Sequence, residues 1–204
     1  MISLTAAVFL IAIAPSFSKA DIYRDCNQSV DLKRRLAGCS KLIERGNKES
    51  QKNRRIARVN RGNAHERLGR FDLALADFTR AIALDPRNAT AYFNRGLIYQ
   101  KLGQHDNAIA DFTRAGERAP RDPEAYFMRA LVYGSLRKHA AAISDLTEVI
   151  TLNRNYAEAF YMRALFHLET GDRTKAVADL RSTLRIDPTH ANARSRLKAL
   201  ATEF

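Results

Sequence analysis

The chain has 204 residues, 46% of them hydrophobic and 27% charged, which is enough apolar surface for a packed core and excludes a disordered tail. Its formal charge of +12 is high for a folded domain and directs attention to anionic partners. Two cysteines and five histidines leave few candidates for metal or thiol chemistry.

In chain order, residues 1–20 read as a signal peptide. Leu4 to Ala14 is an apolar run, Pro15 follows, and Ser18-Lys19-Ala20 puts small residues where a signal peptidase reads them. Cleavage after Ala20 would leave Asp21 at the N-terminus and a periplasmic or secreted product. No Lys or Arg precedes the apolar run, so the terminal amine alone supplies the usual positive start. The run is shorter than the ~20 apolar residues of a spanning helix, so no stable membrane anchor is expected.

Cys26 and Cys39 follow closely and suit a single disulfide in an oxidising compartment. In a cytosolic chain they would instead be two buried thiols.

From Arg55 onward the sequence repeats itself without a gap: 55–88, 89–122, 123–156 and 157–190 superimpose. Numbering each copy from 1 to 34, position 8 is Gly62, Gly96, Ala130 and Ala164, and position 20 is Ala74, Ala108, Ala142 and Ala176. Large residues oppose them: Phe78, Phe112, Leu146 and Leu180 at position 24, and His65, Tyr99, Tyr133 and His167 at position 11. Small against large at helical spacing predicts two helices packed ridge into groove. Gly69, Gly103 and Gly171 at position 15 mark the turn between them, and Pro86, Pro120 and Pro188 at position 32 end the second helix. The third copy carries Arg137 and Arg154 at these two places.

These residues resemble the tetratricopeptide repeat family over 55–190. The resemblance implies an all-α fold, a right-handed α-solenoid of helix-turn-helix hairpins, and is nearly silent on function.

One charge pattern recurs with the same period. Position 7 is Arg61, Arg95, Arg129 and Arg163, and position 23 is Asp77, Asp111, Asp145 and Asp179. A half-buried guanidinium without a partner is costly, so each Arg is expected to reach the Asp of its own hairpin as a structural ion pair.

Repeat arrays need caps at their ends. Residues 21–54 read as a degenerate N-terminal hairpin: aligning 35–43 with 108–116 puts Cys39 at position 24 and Cys26 at position 11. The disulfide would then replace the usual contact between those positions. A five-residue slip through 46–55 predicts an elongated, basic first helix. Residues 191–204, with Arg194, Arg196 and Lys198, are expected to close the other end as a polar capping helix.

In arrays resembling this family, positions 2, 5, 9, 12 and 13 of the first helices line a concave groove. Position 5 supplies Val59, Phe93, Phe127 and Tyr161, position 9 Asn63, Leu97, Leu131 and Leu165, and position 6 the adaptable Met128 and Met162. The expected site is therefore an apolar groove of Phe93, Leu97, Phe127, Met128, Leu131, Tyr161, Met162 and Leu165, binding a helix or extended peptide of a partner protein. Its opposing reading is a stripe satisfied internally or by self-association. A well-known variant of the family grips chaperone tails through Lys, Asn, Asn, Lys and Arg. Here those places hold Val59, Asn63, Asn94, Glu124 and Met128, so only the two amides match and chaperone-tail recognition is not expected.

No phosphate loop, paired-cysteine motif or nucleophile elbow is present, and no enzymatic activity, cofactor or metal is expected. His65 and His167 occupy position 11, His105 and His139 position 17 and His190 the last turn; a metal shared by His105 and His139 would have two ligands a full repeat apart. The rival class is a basic surface binding an anionic polymer, lipid or nucleic acid, led by Arg34-Arg35 and Lys52-Asn53-Arg54-Arg55. The cations are scattered rather than set between stacking aromatics, and export disfavours nucleic acid.

Overall fold

The computed structural model describes residues 18–28 and 30–201, all helix and connection with no strand among them. The Leu4–Ala14 apolar run lies outside the described residues, as do residues 202–204 of the expected capping segment. No helix of the described residues is long and apolar enough to cross a membrane.

Eleven α-helices follow one another among the described residues: α1 (Lys19–Asn27), α2 (Leu32–Glu44), α3 (Gln51–Arg67), α4 (Phe71–Leu84), α5 (Ala89–Lys101), α6 (His105–Arg118), α7 (Glu124–Ser135), α8 (His139–Leu152), α9 (Ala157–Glu169), α10 (Arg173–Ile186) and α11 (Ala191–Ala201). A 3₁₀ turn, Gly46–Lys48, joins α2 to α3. Each helix packs chiefly on the one before and the one after it, so the molecule is a one-dimensional stack of hairpins. The α3 helix begins at Gln51, four residues ahead of the first repeat, and is capped by Ser50, whose hydroxyl accepts from the Asn53 N–H.

Within each hairpin the expected small-large contact is present. A Cβ on Gly62 would come within 2.7 Å of the Phe78 ring, and one on Gly96 within 2.9 Å of Phe112. Ala130 and Ala164 are fully buried opposite the smaller Leu146 and Leu180. Gly69, Gly103 and Gly171 adopt positive φ in the hairpin turns, and Arg137 takes the same conformation, φ 56°, in the third.

The N-terminal hairpin has its own core of Ile22, Cys26, Cys39, Leu42 and Ala57. The two cysteines are fully buried with Sγ atoms 2.06 Å apart, and the hairpin closes so tightly that a Cβ on Gly38 would lie 2.7 Å from the Cys26 nitrogen. It is fastened to α3 through a polar knot around buried Glu49. Tyr23 donates its hydroxyl to Glu49 Oε2, Asn53 Nδ2 donates to the same oxygen at 3.3 Å, and Arg45 Nε faces Oε1 at 2.6 Å as an ion pair without an aligned N–H. Asn60 adds donations to the Cys26 carbonyl and to Asn27 Oδ1. The Ala20–Asp21 bond lies in the first turn of α1, where Ser18 and Asp21 form a reciprocal capping box.

Candidate functional site: the concave face and the ladder behind it

The four arginines of position 7 do reach the aspartates of position 23. Arg61, Arg95, Arg129 and Arg163 each donate from Nε and Nη2 to the two oxygens of Asp77, Asp111, Asp145 and Asp179, at 2.7–2.8 Å throughout. The carboxylates are buried and the arginines half-buried, so this is a bidentate pair in low dielectric, which needs that geometry to offset desolvation. Hydrogen bonding to Asp111 and Asp145 raises the Arg95 and Arg129 pKa above the ordinary guanidinium value. Rings at position 4 lie over the guanidinium: Tyr126 at 5.5 Å from Arg129 and Phe160 at 5.6 Å from Arg163, centroid to Cζ.

The remaining Nη1 makes a contact that sequence reasoning missed. It donates to a hydroxyl of the preceding second helix: Arg61 to Ser40, Arg95 to Thr79, Arg129 to Thr113 and Arg163 to Thr147, at 2.8–3.0 Å. Each arginine thus ties its own hairpin and also the hairpin before it. The signal was available, because Thr79, Thr113 and Thr147 recur at position 25. Ser40 takes that place in the cap, and the series stops at Arg181, after which position 7 is Leu197 rather than Arg.

The concave stripe is only partly open. Phe93, Leu97, Met128, Leu131, Tyr161, Met162 and Leu165 are half-buried. Phe127 corrects the expectation: it is 8% exposed and belongs to the largest core cluster. The reason is Tyr156 at position 34, whose ring stacks on Phe127 at 5.1 Å and whose hydroxyl donates to Glu124 at 3.2 Å. Burial and that carboxylate push the Tyr156 pKa up to about 12. One repeat later His190 covers Tyr161 at 4.6 Å and stands 3.4 Å from Glu158. In the second copy position 34 is Asp122, and Phe93 leans instead on Phe112 at 5.7 Å.

Beside the open part of the stripe, Asn94 Nδ2 donates to Asn63 Oδ1 at 2.8 Å, so the two amides bond each other and keep Asn63's N–H groups and Asn94's carbonyl for other partners. Glu124, at the place of a clamp cation, is engaged by Tyr156. Histidines 65, 105 and 139 each have a buried Nδ1 without a partner. Among the described residues no group of three or more His, Cys, Asp or Glu is placed to hold a metal ion.

A family model for the tetratricopeptide repeat matches residues 59–123, 96–146 and 127–191. No curated protein matches the chain. Similar solved structures include a tetratricopeptide repeat protein from Parabacteroides merdae ATCC 43184, 19% identical with TM-score 0.76, covering 89% of this chain and 72% of that one. YrrB, described as a TPR protein with an unusual peptide-binding site, is 24% identical with TM-score 0.69, over 82% of this chain and 84% of that one. The first TPR of Spaghetti (RPAP3), solved bound to the HSP90 peptide SRMEEVD, is 28% identical with TM-score 0.54, over 57% of this chain and 93% of that one. With a repeat period, packing signature and family model in agreement over most of its length, the chain belongs to the tetratricopeptide repeat family.

Proposed function

We propose that this protein is an exported interaction scaffold that holds a helix or extended peptide of a partner protein against its concave face. The observation that carries the reading is the partly buried stripe of Phe93, Leu97, Met128 and Leu131 beside the Asn63–Asn94 pair, an apolar track with a polar edge on rigid helices. The peptide sites of YrrB and RPAP3 support the same use of the fold. Where Tyr156 and His190 cover the stripe, the ligand is expected to find less apolar surface, so its anchors face the second and third copies.

Export is part of the proposal. The apolar run, the small residues before Asp21 and the buried cysteine pair all suit an envelope compartment. Cleavage after Ala20 would also remove Ser18 and its capping box, a loss of about 1 kcal/mol to α1 that the Cys26–Cys39 bond would offset.

The test places a photo-crosslinking residue at Leu97 or, as control, at Arg80 on a second helix, in the exporting cell. Partners captured from Leu97 but not from Arg80, and lost in Leu97→Glu/Leu131→Glu while the helical signal persists, support the groove. Equal capture from both positions, or survival of the same partners in the double variant, overturns it.

A further inference from the structure

The described residues expose only four large apolar side chains: Val30 at 89%, Leu73 at 50%, Leu68 at 42% and Leu102 at 40%. Three of the four sit at the turns inside the first two hairpins, a rim at the opposite end of the first helices from position 5 of the stripe. Leu68 and Leu102 are the C-cap residues of α3 and α5 at the same repeat position, and Leu73 sits in the first turn of α4 beside Leu68.

Not every copy exposes leucine at these places. The C-cap of α7 is Leu136, which packs against the core, that of α9 is Thr170, and the counterparts of Leu73 are Asn107, Ala141 and Lys175. Cations border the same rim: Arg70, Arg137 and Lys138 are exposed, and no ion pair engages them among the described residues. Of the nearby acids, Glu66 is taken by Lys101 at 2.6 Å, while Asp72 and Asp106 are exposed at the starts of α4 and α6. The fourth turn differs, with Thr170, Gly171 and an Asp172 bound by Lys175 at 2.7 Å, so the apolar-basic character belongs to the first three hairpins alone.

We propose that this rim rests on an anionic lipid surface, with Leu68, Leu73 and Leu102 entering the headgroup boundary and Arg70, Arg137 and Lys138 meeting the lipid phosphates. A line of turn tips offers no groove to a peptide, but it can press its leucines into a flat, yielding layer. Apolar burial combined with basic charge is what holds peripheral proteins on anionic membranes. Such contact is reversible and leaves the concave face free.

The chain contains no tryptophan, so a single substitution makes a site-specific reporter. Leu102→Trp in the full chain is mixed with vesicles of phosphatidylglycerol or of phosphatidylcholine, and Val30→Trp serves as control. The expected result is a blue-shifted emission and quenching by brominated lipid for Leu102→Trp with the anionic vesicles only, reduced at least about tenfold in apparent affinity when Arg70→Glu and Lys138→Glu are added. The proposal is overturned if Leu102→Trp stays water-exposed on anionic vesicles, if neutral vesicles shift it equally, or if Val30→Trp is quenched as strongly. It is also overturned if Leu102→Trp shifts only through association of two copies without vesicles.

Discussion

The ring of Phe112 stands 2.9 Å from where a Cβ on Gly96 would be, so the absence of a side chain at one residue makes room for the other. The same bargain is struck with Phe78 and Gly62, and in the later copies with the pairs Leu146–Ala130 and Leu180–Ala164. Because Phe112 is buried, its ring has nowhere to retreat. Gly96→Ala is therefore expected to destabilise by about 1–2 kcal/mol, the overpacking strain exceeding the helix-propensity gain. Adding Phe112→Leu recreates the pairing of the third copy and should recover most of that loss. Urea unfolding of the two singles and the double would show a coupling of about 1 kcal/mol or more; additive effects would sink the argument.

Asp145 is held by both ends of the Arg129 fork while the third nitrogen donates to Thr113 at 2.8 Å. Arg129→Lys keeps the charge but loses the fork and the inter-repeat bond, and should cost about 2–3 kcal/mol. Thr113→Val keeps the fork but removes the inter-hairpin bond, together with the hydroxyl's own donation to the Ile109 carbonyl at 2.8 Å, and should cost about 1 kcal/mol. In chemical unfolding, Thr113→Val should separate the stack at the joint between α6 and α7, seen as a broadened transition. An unchanged transition with full stability would deny the hydroxyl its bridging role.

Much of this was legible in the sequence. A period of 34 fixes which residues are equivalent, and equivalence with alternating size and sign is enough to pair Gly96 with Phe112 and Arg129 with Asp145. It is not enough to find the covering of the groove. Phe93 and Phe127 are equivalent by register, yet one stays partly open and the other is buried, because position 34 is Asp122 in one copy and Tyr156 in the next. Position 34 precedes a helix and is read naturally as a cap, which is what Asn88 does by accepting from the Ala91 N–H. That Tyr156 turns back onto the previous hairpin is a tertiary fact. The hydroxyl ladder of Ser40, Thr79, Thr113 and Thr147 was visible as a repeat but exposed-looking, with nothing local to reveal its donor.

Arg137 carries a side chain where the other hairpin turns use glycine, at φ 56°. A β-carbon in that region costs about 1 kcal/mol, and the side chain is exposed and has no ion-pair partner among the described residues. Arg137→Gly should stabilise the protein by about 0.5–1 kcal/mol, the gain being trimmed by the freer unfolded chain. A thermal melt shifted downward instead would mean that the guanidinium makes a contact of comparable strength.

Burial lowers the pKa of His65 and of His167, in each case outweighing the facing carboxylate, Asp77 or Asp179. The unfolded chain therefore binds protons at these sites before the folded one does. Stability from this source is complete above the ordinary histidine pKa of about 6.5 and is lost as pH falls below it toward the depressed folded values. Tyrosine occupies the same position as Tyr99 and Tyr133. The double variant His65→Tyr/His167→Tyr should flatten the stability profile between pH 6.5 and 5, by denaturant midpoints. A parallel, merely offset profile would place the acid sensitivity in other groups.

Cys26 and Cys39 sit fully buried in a hairpin whose remaining core is small: Ile22, Leu42 and the side of Ala57. Their bond closes a loop of sequence separation 13, for which the chain-entropy model gives about 3 kcal/mol. Burying Ile22 and Leu42 contributes about 1.5–3 kcal/mol each, so the bond is a large share of what holds this hairpin, whereas the hairpins from α3 to α10 also draw on the arginine ladder. Reduction, or Cys26→Ser/Cys39→Ser, should therefore raise hydrogen exchange first in α1 and α2 and leave α5 to α10 protected. The polar knot of Tyr23, Glu49 and Asn53 should loosen in the same step, since Tyr23 reaches Glu49 only from a docked α1. If α1 and α2 exchange no faster in the reduced protein, the hairpin stands on its contacts with α3, and the covalent link is dispensable to the cap.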